Sequence, residues 1–569
     1  GTGLPPAEET EKPIVFFDVE VYPNLFVVCW KYEGSDEVVK MINPSPQEIE
    51  ELLSMKLVGF NNRRYDNHIL YARFLGYSLK DLYILSSKIV SNDRSCYFGE
   101  AYNVSYADIY DFSSVKKGLK RFQIDLGIHH VELDIPWDEP VDESLWLTIV
   151  DYCANDVHAT EYVFNSRKQD FVARQILAEL SGLTVNHTTQ AHTARIIFGE
   201  EKNPQRSFVY TDLSEEFPGY KYDYGKSTYR DEITGEGGYV YAEPGIYENV
   251  AVLDVASMHP TTIEVLNAFG PYTQNFADLK AARIAIKRKD FEAARKMLNG
   301  KLVPFLEGDQ ADSDALSYAL KIVINIVYGL TSAKFDNPFR DIRNVDNIVA
   351  KRGALFMIDL KHAVQERGFQ VVHIKTDSIK IPNATPEIIQ FVTEFGAKYG
   401  YEFEHENTYE KFCLVNDAVY IAREGDKWTA VGAQFQHPYV YKTLFSGEEV
   451  EVADLFEAKT VMQGVMYLDF KDTPAVDTSA MVHIGRTGSF LPVFNGGVLY
   501  RVNTVDGELR RYAVTGTKGY LWMERDSIAD LESMTLSETF INQAYFEGLR
   551  LDAIKTIEKF GSYEDLVAR

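Results

Sequence analysis

The stretch PIVFFDVEVYP, residues 13–23, sets a run of apolar residues ahead of Asp18 and Glu20. The two-residue period of a strand places both carboxylates on one face, so the segment reads as a buried strand carrying two acids near its end. Two acids at a strand end are common as solvated groups, and the rest of the chain gives this pair its weight. From Pro13 to about residue 165, apolar runs such as IVFF and FVVCW alternate with helical patterns, as an α/β domain requires.

Further fragments carry chemistry-bearing side chains. After the apolar run LVGF comes NNRRYDN, with Asn61 and Asp66 just past a strand, and in YCANDVHAT the i, i+4 spacing puts Tyr152 and Asp156 on one helical face. A second strand signal, VAVLDVASMHPTT, runs into Asp254 and is followed by Val255, Ser257, Met258 and His259. In LKIVINIVYGL, helical spacing gathers Lys321, Asn325 and Tyr328 on one side. Residues 280–301 hold eight Lys or Arg against two acids, with Arg283 and Lys287 four apart. The segment HIKTDSIKI reads as strand, tight turn, strand, with Thr376 and Asp377 at the turn.

In order and local context, Asp18, Glu20, Asp66 and Asp156 with Tyr152 resemble the three exonuclease motifs of proofreading family B DNA polymerases. Asp254, Ser257 and Pro260 resemble the first palm motif of that family, Lys321, Asn325, Tyr328 and Gly329 its fingers motif, and Thr376, Asp377 and Ser378 its last palm motif. His259 stands where the family has Tyr, Lys375 where it has Asp, and VNDAVYIA (residues 415–422) replaces the basic strand motif that usually opens the thumb. The GEGGYV segment resembles the linker motif Tyr-x-Gly-Gly, with Gly235 at the Tyr position.

The resemblance implies an α/β and α+β multidomain chain: a ribonuclease H-like DEDDy exonuclease domain plus a right-hand polymerase with palm, fingers and thumb. Its expected boundaries are a flexible tail over 1–12, the exonuclease over 13–165, a connector over 166–244, palm over 245–278 and 333–425, fingers over 279–332, and thumb with C-terminal region over 426–569, ending in a helical stretch at 527–567. It implies two Mg²⁺ per active site, with Mn²⁺ able to substitute, held by Asp18, Glu20, Asp66 and Asp156 in one site and by Asp254, Asp377 and the Val255 carbonyl in the other. Two cations about 3.5–4 Å apart stabilise both the attacking and the leaving oxygen of a phosphodiester displacement. Tyr152 would orient the attacking water and Asn61 contact a frayed primer strand. Lys321, Asn325, Tyr328, Arg283, Lys287, Ser257, Met258 and His259 would bind dNTP, and Thr376, Gly237 and Gly238 would contact DNA. Asp254 and Asp377 lie 123 positions apart, and Asp254 and Lys321 67, which leaves little room for the insertion of protein-primed relatives. A compact bacteriophage replicase is the expectation.

Length and composition agree with that class. At 569 residues there is room for several domains, and 45% hydrophobic and 25% charged residues are ordinary globular usage. Cys29, Cys96, Cys153 and Cys413 form no Cys-x-x-Cys pair, which argues against a zinc module and for a reducing cytoplasm. The net charge of −26 is no bar to DNA binding when cations concentrate on one groove. No apolar stretch approaches the ~18 residues of a membrane span. The expected partners are primer-template DNA, dNTPs and single-stranded DNA, with a helicase or single-strand binding protein in a replisome; the chain itself would be a cytoplasmic monomer. Two alternatives stand beside this reading: a 3′-5′ exonuclease with an inactive polymerase half, and a non-catalytic DNA-binding scaffold. Crowding six carboxylates without cations makes the scaffold electrostatically expensive.

Overall fold

Strand β1 (Ile14–Tyr22) is buried on both faces, and its alternation decides where the acids go. The odd positions Val15, Phe17, Val19 and Val21 pack in one core with Leu57, Ile69 and Leu70. The even positions Ile14, Phe16 and Tyr22 pack in another with Cys153, Ala154 and Val157. Asp18 and Glu20 occupy even positions between Phe16 and Tyr22. A buried large apolar side chain contributes about 2 kcal/mol, so acids in such places cost stability and are kept for chemistry or partnered.

The computed structural model of the chain describes residues 12–471, 477–512, 521–525 and 541–569. They form two compact units, Gly1–His192 with Glu451–Asn542, and Thr193–Val450 with Gln543–Arg569. Of the tail expected over 1–12, all but Lys12 lies outside the described residues.

In the first unit, β1, β2 (Leu25–Tyr32), β3 (Val39–Ile42), β4 (Lys56–Gly59) and β5 (Ala107–Asp108) make a mixed sheet of order β3-β2-β1-β4-β5. β1 runs antiparallel to β2 and parallel to β4. Helices α1 (Asp66–Phe74), α2 (Leu119–Asp125) and α3 (Trp146–Ser166) follow, and α3 covers the even face of β1.

The segment 166–244 holds two helices, Lys168–Ser181 and Thr189–Phe198, and three short antiparallel strands, β6 (Lys221–Asp223), β7 (Lys226–Tyr229) and β8 (Glu232–Thr234). The main sheet of the second unit is antiparallel throughout. It is built from β9 (Val240–Ala242), β10 (Gly245–Val255), β11 (His373–Lys375), β12 (Ser378–Pro382), β13 (Phe403–Asn416), β14 (Val419–Glu424) and β15 (Lys427–Val431), in the order β15-β14-β13-β10-β12-β11-β9. Helices α4 (Met258–Val265), α5 (Thr273–Lys287), α6 (Gln310–Ser332) and α7 (Ile348–Glu366) belong to the same unit. Leu253, Val255, Ile374, Ile379 and Ile381 of the sheet share a core with Leu355, Phe356 and Ile358 of α7. Helix α6 is long and apolar enough to cross a membrane, yet Leu316, Leu320, Val323 and Val327 are buried in the protein while Lys321 and Asn325 are exposed, the pattern of an amphipathic core helix.

The stretch 426–569, grouped as one region from sequence, is divided between the units: 426–450 and 543–569 fall in the second, 451–542 in the first. The latter contributes β16 (Glu457–Thr460), β17 (Gly464–Asp469), β18 (Val482–Gly485), β19 (Thr487–Val493), β20 (Val498–Asn503), β21 (Leu509–Arg511) and β22 (Leu521–Arg525), in two small antiparallel sheets. Helix α2 docks on this part, Arg121 Nη1 donating to the Ala458 carbonyl at 3.3 Å. Of the helical C-terminus expected over 527–567, residues 526–540 lie outside the described set; Gln543–Glu558 (α8) and Tyr563–Val567 are helical.

Candidate functional site

In the first unit, β1, α1 and α3 bring four carboxylates together. Asp18 and Glu20 project from the even face of β1, Asp66 starts α1, where the helix dipole favours an anion, and Asp156 lies one helical turn after Tyr152 on α3. The Cys153 thiol donates to the Asp18 carbonyl at 3.5 Å and approaches its Oδ2 at 3.7 Å. Ligand atoms of Asp18, Glu20 and Cys153 all lie within 4.8 Å of one another. Asn61 is exposed at φ 54, and its N–H donates to Asp108 Oδ1 at 2.8 Å.

Burial and mutual repulsion dominate the electrostatics. Burial raises the Asp18 carboxyl well above its usual value, the charges of Glu20, Asp156 and Asp66 push it further, and Lys120 opposes them. Glu20 is pushed up to about 8 by burial and Asp156. Burial also raises Asp66, helped by Asp108, and Asp156, opposed by Lys120. The Tyr152 hydroxyl is raised by burial, so it is a neutral phenol. Lys120 pairs with Asp156, its Nζ 4.4 Å from the centre of the Tyr152 ring. Once ionised, four carboxylates facing one lysine carry excess negative charge, and the oxygen donors suit hard divalent cations such as Mg²⁺ or Mn²⁺, whose binding would release the protons that burial holds there. Cys153 does not compete, because burial raises its thiol and a thiol binds metal only as thiolate.

The second unit carries another acidic pair. Asp254, next to last on β10, faces Ser378 across β12 and Glu404 across β13. Asp377 sits in the two-residue turn between β11 and β12, tied to β10 by the Val255 N–H, which donates to the Asp377 carbonyl at 2.8 Å. Asp254 Oδ1 is buried and without a hydrogen-bond partner. Burial and Asp254 raise Asp377. Beneath them Lys380, lowered to about 8 by burial, donates to His373 Nδ1 at 3.0 Å. Lys375 is exposed at the end of β11.

The turn is strained and braced. Thr376 takes φ 55, a conformation usually left to glycine, and its N–H donates to the Tyr239 carbonyl at 2.9 Å. A Cβ on Gly238 would fall 2.7 Å from the Thr376 side chain, whereas one on Gly237 would meet nothing within 4 Å. The glycine at 238 is thus required by packing, and the one at 237 is not.

Cations and aromatics come from the helices. Burial lowers Lys287, and the charges of Arg283 and Lys321 lower it further while Glu404 opposes them, so all four share one neighbourhood. The His259 ring stacks on Tyr328 with centroids 3.9 Å apart and planes 15° off parallel. Burial lowers His259 to about 4, leaving it neutral, and its Nδ1 has no partner. Tyr328 Oη accepts from Asn347 Nδ2 at 3.2 Å. Asn325 is exposed on the same helix, and Ser257 is exposed at φ 49. Met258 is buried against Gly353, where a Cβ would fall 2.6 Å from its sulfur, so its side chain is taken up by packing.

Sequence reasoning missed Lys120, Glu132, Glu404 and Glu406. Glu406 shares a hydrogen bond with Glu404 that raises its carboxyl. The strand pattern of EFEHEN (residues 402–407) marks acids on one face, but only the register of β13 against β10 places Glu404 beside Asp254.

No family model matches the chain. Among curated proteins it is similar to DNA polymerase II of Escherichia coli (strain K12), 28% identical over 159 residues, which is 25% of this chain and 19% of that protein; the chain thus spans about a fifth of the curated relative it matches. Among solved structures it is similar to the family B DNA polymerase from the hyperthermophilic archaeon Pyrobaculum calidifontis, with 15% identity and a TM-score of 0.42 over 98% of this chain and 79% of that one.

Proposed function

We propose that the chain is a family B DNA-dependent DNA polymerase that extends a primer from dNTPs and carries a 3′-5′ proofreading exonuclease, in the manner of a compact bacteriophage replicase. The observation that carries this reading is the pairing of two acidic clusters, Asp18, Glu20, Asp66 and Asp156 in one unit and Asp254 with Asp377 in the other, the second sharing its surroundings with three cations through Glu404. The partial likeness to DNA polymerase II supports the DNA polymerase reading.

Residues 13–165 then act as the ribonuclease H-like exonuclease, 245–278 and 333–425 as palm, 279–332 as fingers and part of 426–569 as thumb. Bound Mg²⁺, two per site, supplies the Lewis acid that activates the attacking oxygen and stabilises the leaving one. Asp254, Asp377 and the Val255 carbonyl hold it in the synthetic site. Lys321, Arg283 and Lys287 neutralise the triphosphate and the departing pyrophosphate, because a cation placed where negative charge develops lowers the barrier. The stacked His259 and Tyr328 offer a platform under the incoming sugar and base pair, and Asn325, Ser257 and the Met258 backbone line its approach. Thr376, Gly237 and Gly238 face the DNA strands. In the first site Asp18, Glu20, Asp66 and Asp156 hold the cations, Tyr152 orients the water and Asn61 steadies a frayed single strand.

Purified protein with Mg²⁺ and four dNTPs should lengthen a primed template. A second reading, a nuclease with an inactive polymerase half, is favoured by the exposed Lys375 at a position where the family has Asp. Degradation of the primer with no extension under any dNTP concentration would establish it in place of the first.

A further inference from the structure

We propose that Glu132 is a positioning residue of the first acidic centre: it gives Lys120 a second carboxylate partner, so that Lys120 can release Asp156 when divalent cations bind, and residues 485–487 hold it in place. The inference rests on the reading of this centre as a metal-dependent nuclease site. It also gives a role to the segment 451–542, in which the motifs leave no chemistry.

The hold on Glu132 is close. The Thr487 N–H donates to Glu132 Oε1 at 3.2 Å, across 355 residues of chain. Gly485, at φ 101, lies so near that a Cβ there would fall 2.5 Å from Glu132 Cδ and 2.6 Å from Oε2. Helix α2, which carries Lys120, is seated on the same part of the unit through Arg121 and the Ala458 carbonyl, 3.3 Å apart. Lys120 is paired with Asp156 and lies over Tyr152. Strand β16, on which α2 is seated, pairs with the β19 strand that holds Glu132, Thr460 facing Thr487. Burial pushes Glu132 up to about 7, the charge of Lys120 opposing the rise and that of Asp156 adding to it, so the three groups share one neighbourhood.

The consequence is competition. An ammonium and a divalent cation cannot both be satisfied by Asp156, so cation binding there must displace Lys120. A displaced ammonium left without a partner in a half-buried place is costly. Glu132 removes that cost and keeps the ammonium beside Tyr152.

The test is Mn²⁺ binding to the full chain without DNA, followed by electron paramagnetic resonance in an Asp254→Ala background so that the first centre dominates. Glu132→Gln keeps the shape and removes the charge. The Mn²⁺ concentration for half occupancy should rise about tenfold, the Mg²⁺ dependence of single-strand degradation should shift alongside it, and the thermal midpoint should stay put. In a Lys120→Ala background the same substitution should have no effect, because Glu132 acts through the lysine. Equal Mn²⁺ binding by parent and Glu132→Gln overturns the inference alone, as does an unchanged loss in the Lys120→Ala background. A parent that binds no Mn²⁺ and degrades nothing overturns the reading of the centre, and the inference with it.

Discussion

The Val255 N–H donates to the carbonyl oxygen of Asp377 at 2.8 Å, so the backbone itself ties the two acids of the second centre together. Asp254 is fixed by the strand register and Asp377 by this bond, and neither depends on its side chain for position. A backbone tie of this kind survives the truncation of a neighbouring side chain but not a clash with the turn itself, and this makes single substitutions informative.

Gly238→Ala places a methyl 2.7 Å from the Thr376 side chain and 2.9 Å from its Cα. It should destabilise the chain by about 1–3 kcal/mol and slow primer extension by shifting the turn that bears Asp377. Gly237→Ala, with open space, should stay within about 0.5 kcal/mol. Urea unfolding of the two variants separates them.

The raised carboxyls of the first centre set a pH dependence. A native group with a raised value binds protons that the unfolded chain has lost, so stability falls as pH rises between the two values. For Glu20 that window runs from its ordinary 4.5 to about 8. In chelator, the first unit should melt lower at about pH 8.5 than at about pH 6, and Mg²⁺ should raise the melting temperature more at the higher pH. The effect should be smaller in Asp18→Asn/Glu20→Gln, with Asp66 and Asp156 keeping the remainder, as scanning calorimetry would show.

Lys321→Ala removes one of three cations that share a neighbourhood. Loss of a charge-assisted contact to phosphate should lower kcat/KM for dNTP by about 10–100-fold, while degradation of single-stranded DNA is unchanged. Steady-state extension against dNTP concentration reads the first effect, and end-labelled digestion the second.

His259→Ala deletes the ring stacked 3.9 Å from Tyr328. If that ring limits the space under the sugar, incorporation of ribonucleotides should rise by about tenfold relative to dNTPs, within the range a pocket of this kind discriminates. Unchanged discrimination in a competition assay would leave the stack a packing role only.

Much of the two centres was legible because the acids sit on regular elements. The period of two in β1 puts Asp18 and Glu20 on one face, and the turn of α3 puts Tyr152 beside Asp156. Asp254 stands near the end of a strand that an apolar run announces, and Asp377 in the tight turn between two short strands. What could not be read is what long-range packing decides. Glu404 reaches Asp254 only through sheet register, and Glu132 meets Thr487 across 355 residues, a contact with no local pattern. The same holds for 451–542, whose short strands give no hint that they join the first unit. The linker motif gives Gly238 a DNA contact, while its close approach to Thr376 is a packing reason for glycine that no local sequence pattern carries.

The central claim is that two acidic centres do separate chemistry in one chain. The most direct measurement is one gel assay of an end-labelled primer on template with Mg²⁺ and four dNTPs, run on the parent, Asp254→Ala and Asp18→Ala, each checked for folding by its melting curve. The account predicts that Asp254→Ala shortens the primer and never lengthens it, its extension rate lower by about 10³-fold, and that Asp18→Ala lengthens the primer and leaves its 3′ end uncut. Loss of both activities in either folded variant, or retention of both, would contradict it.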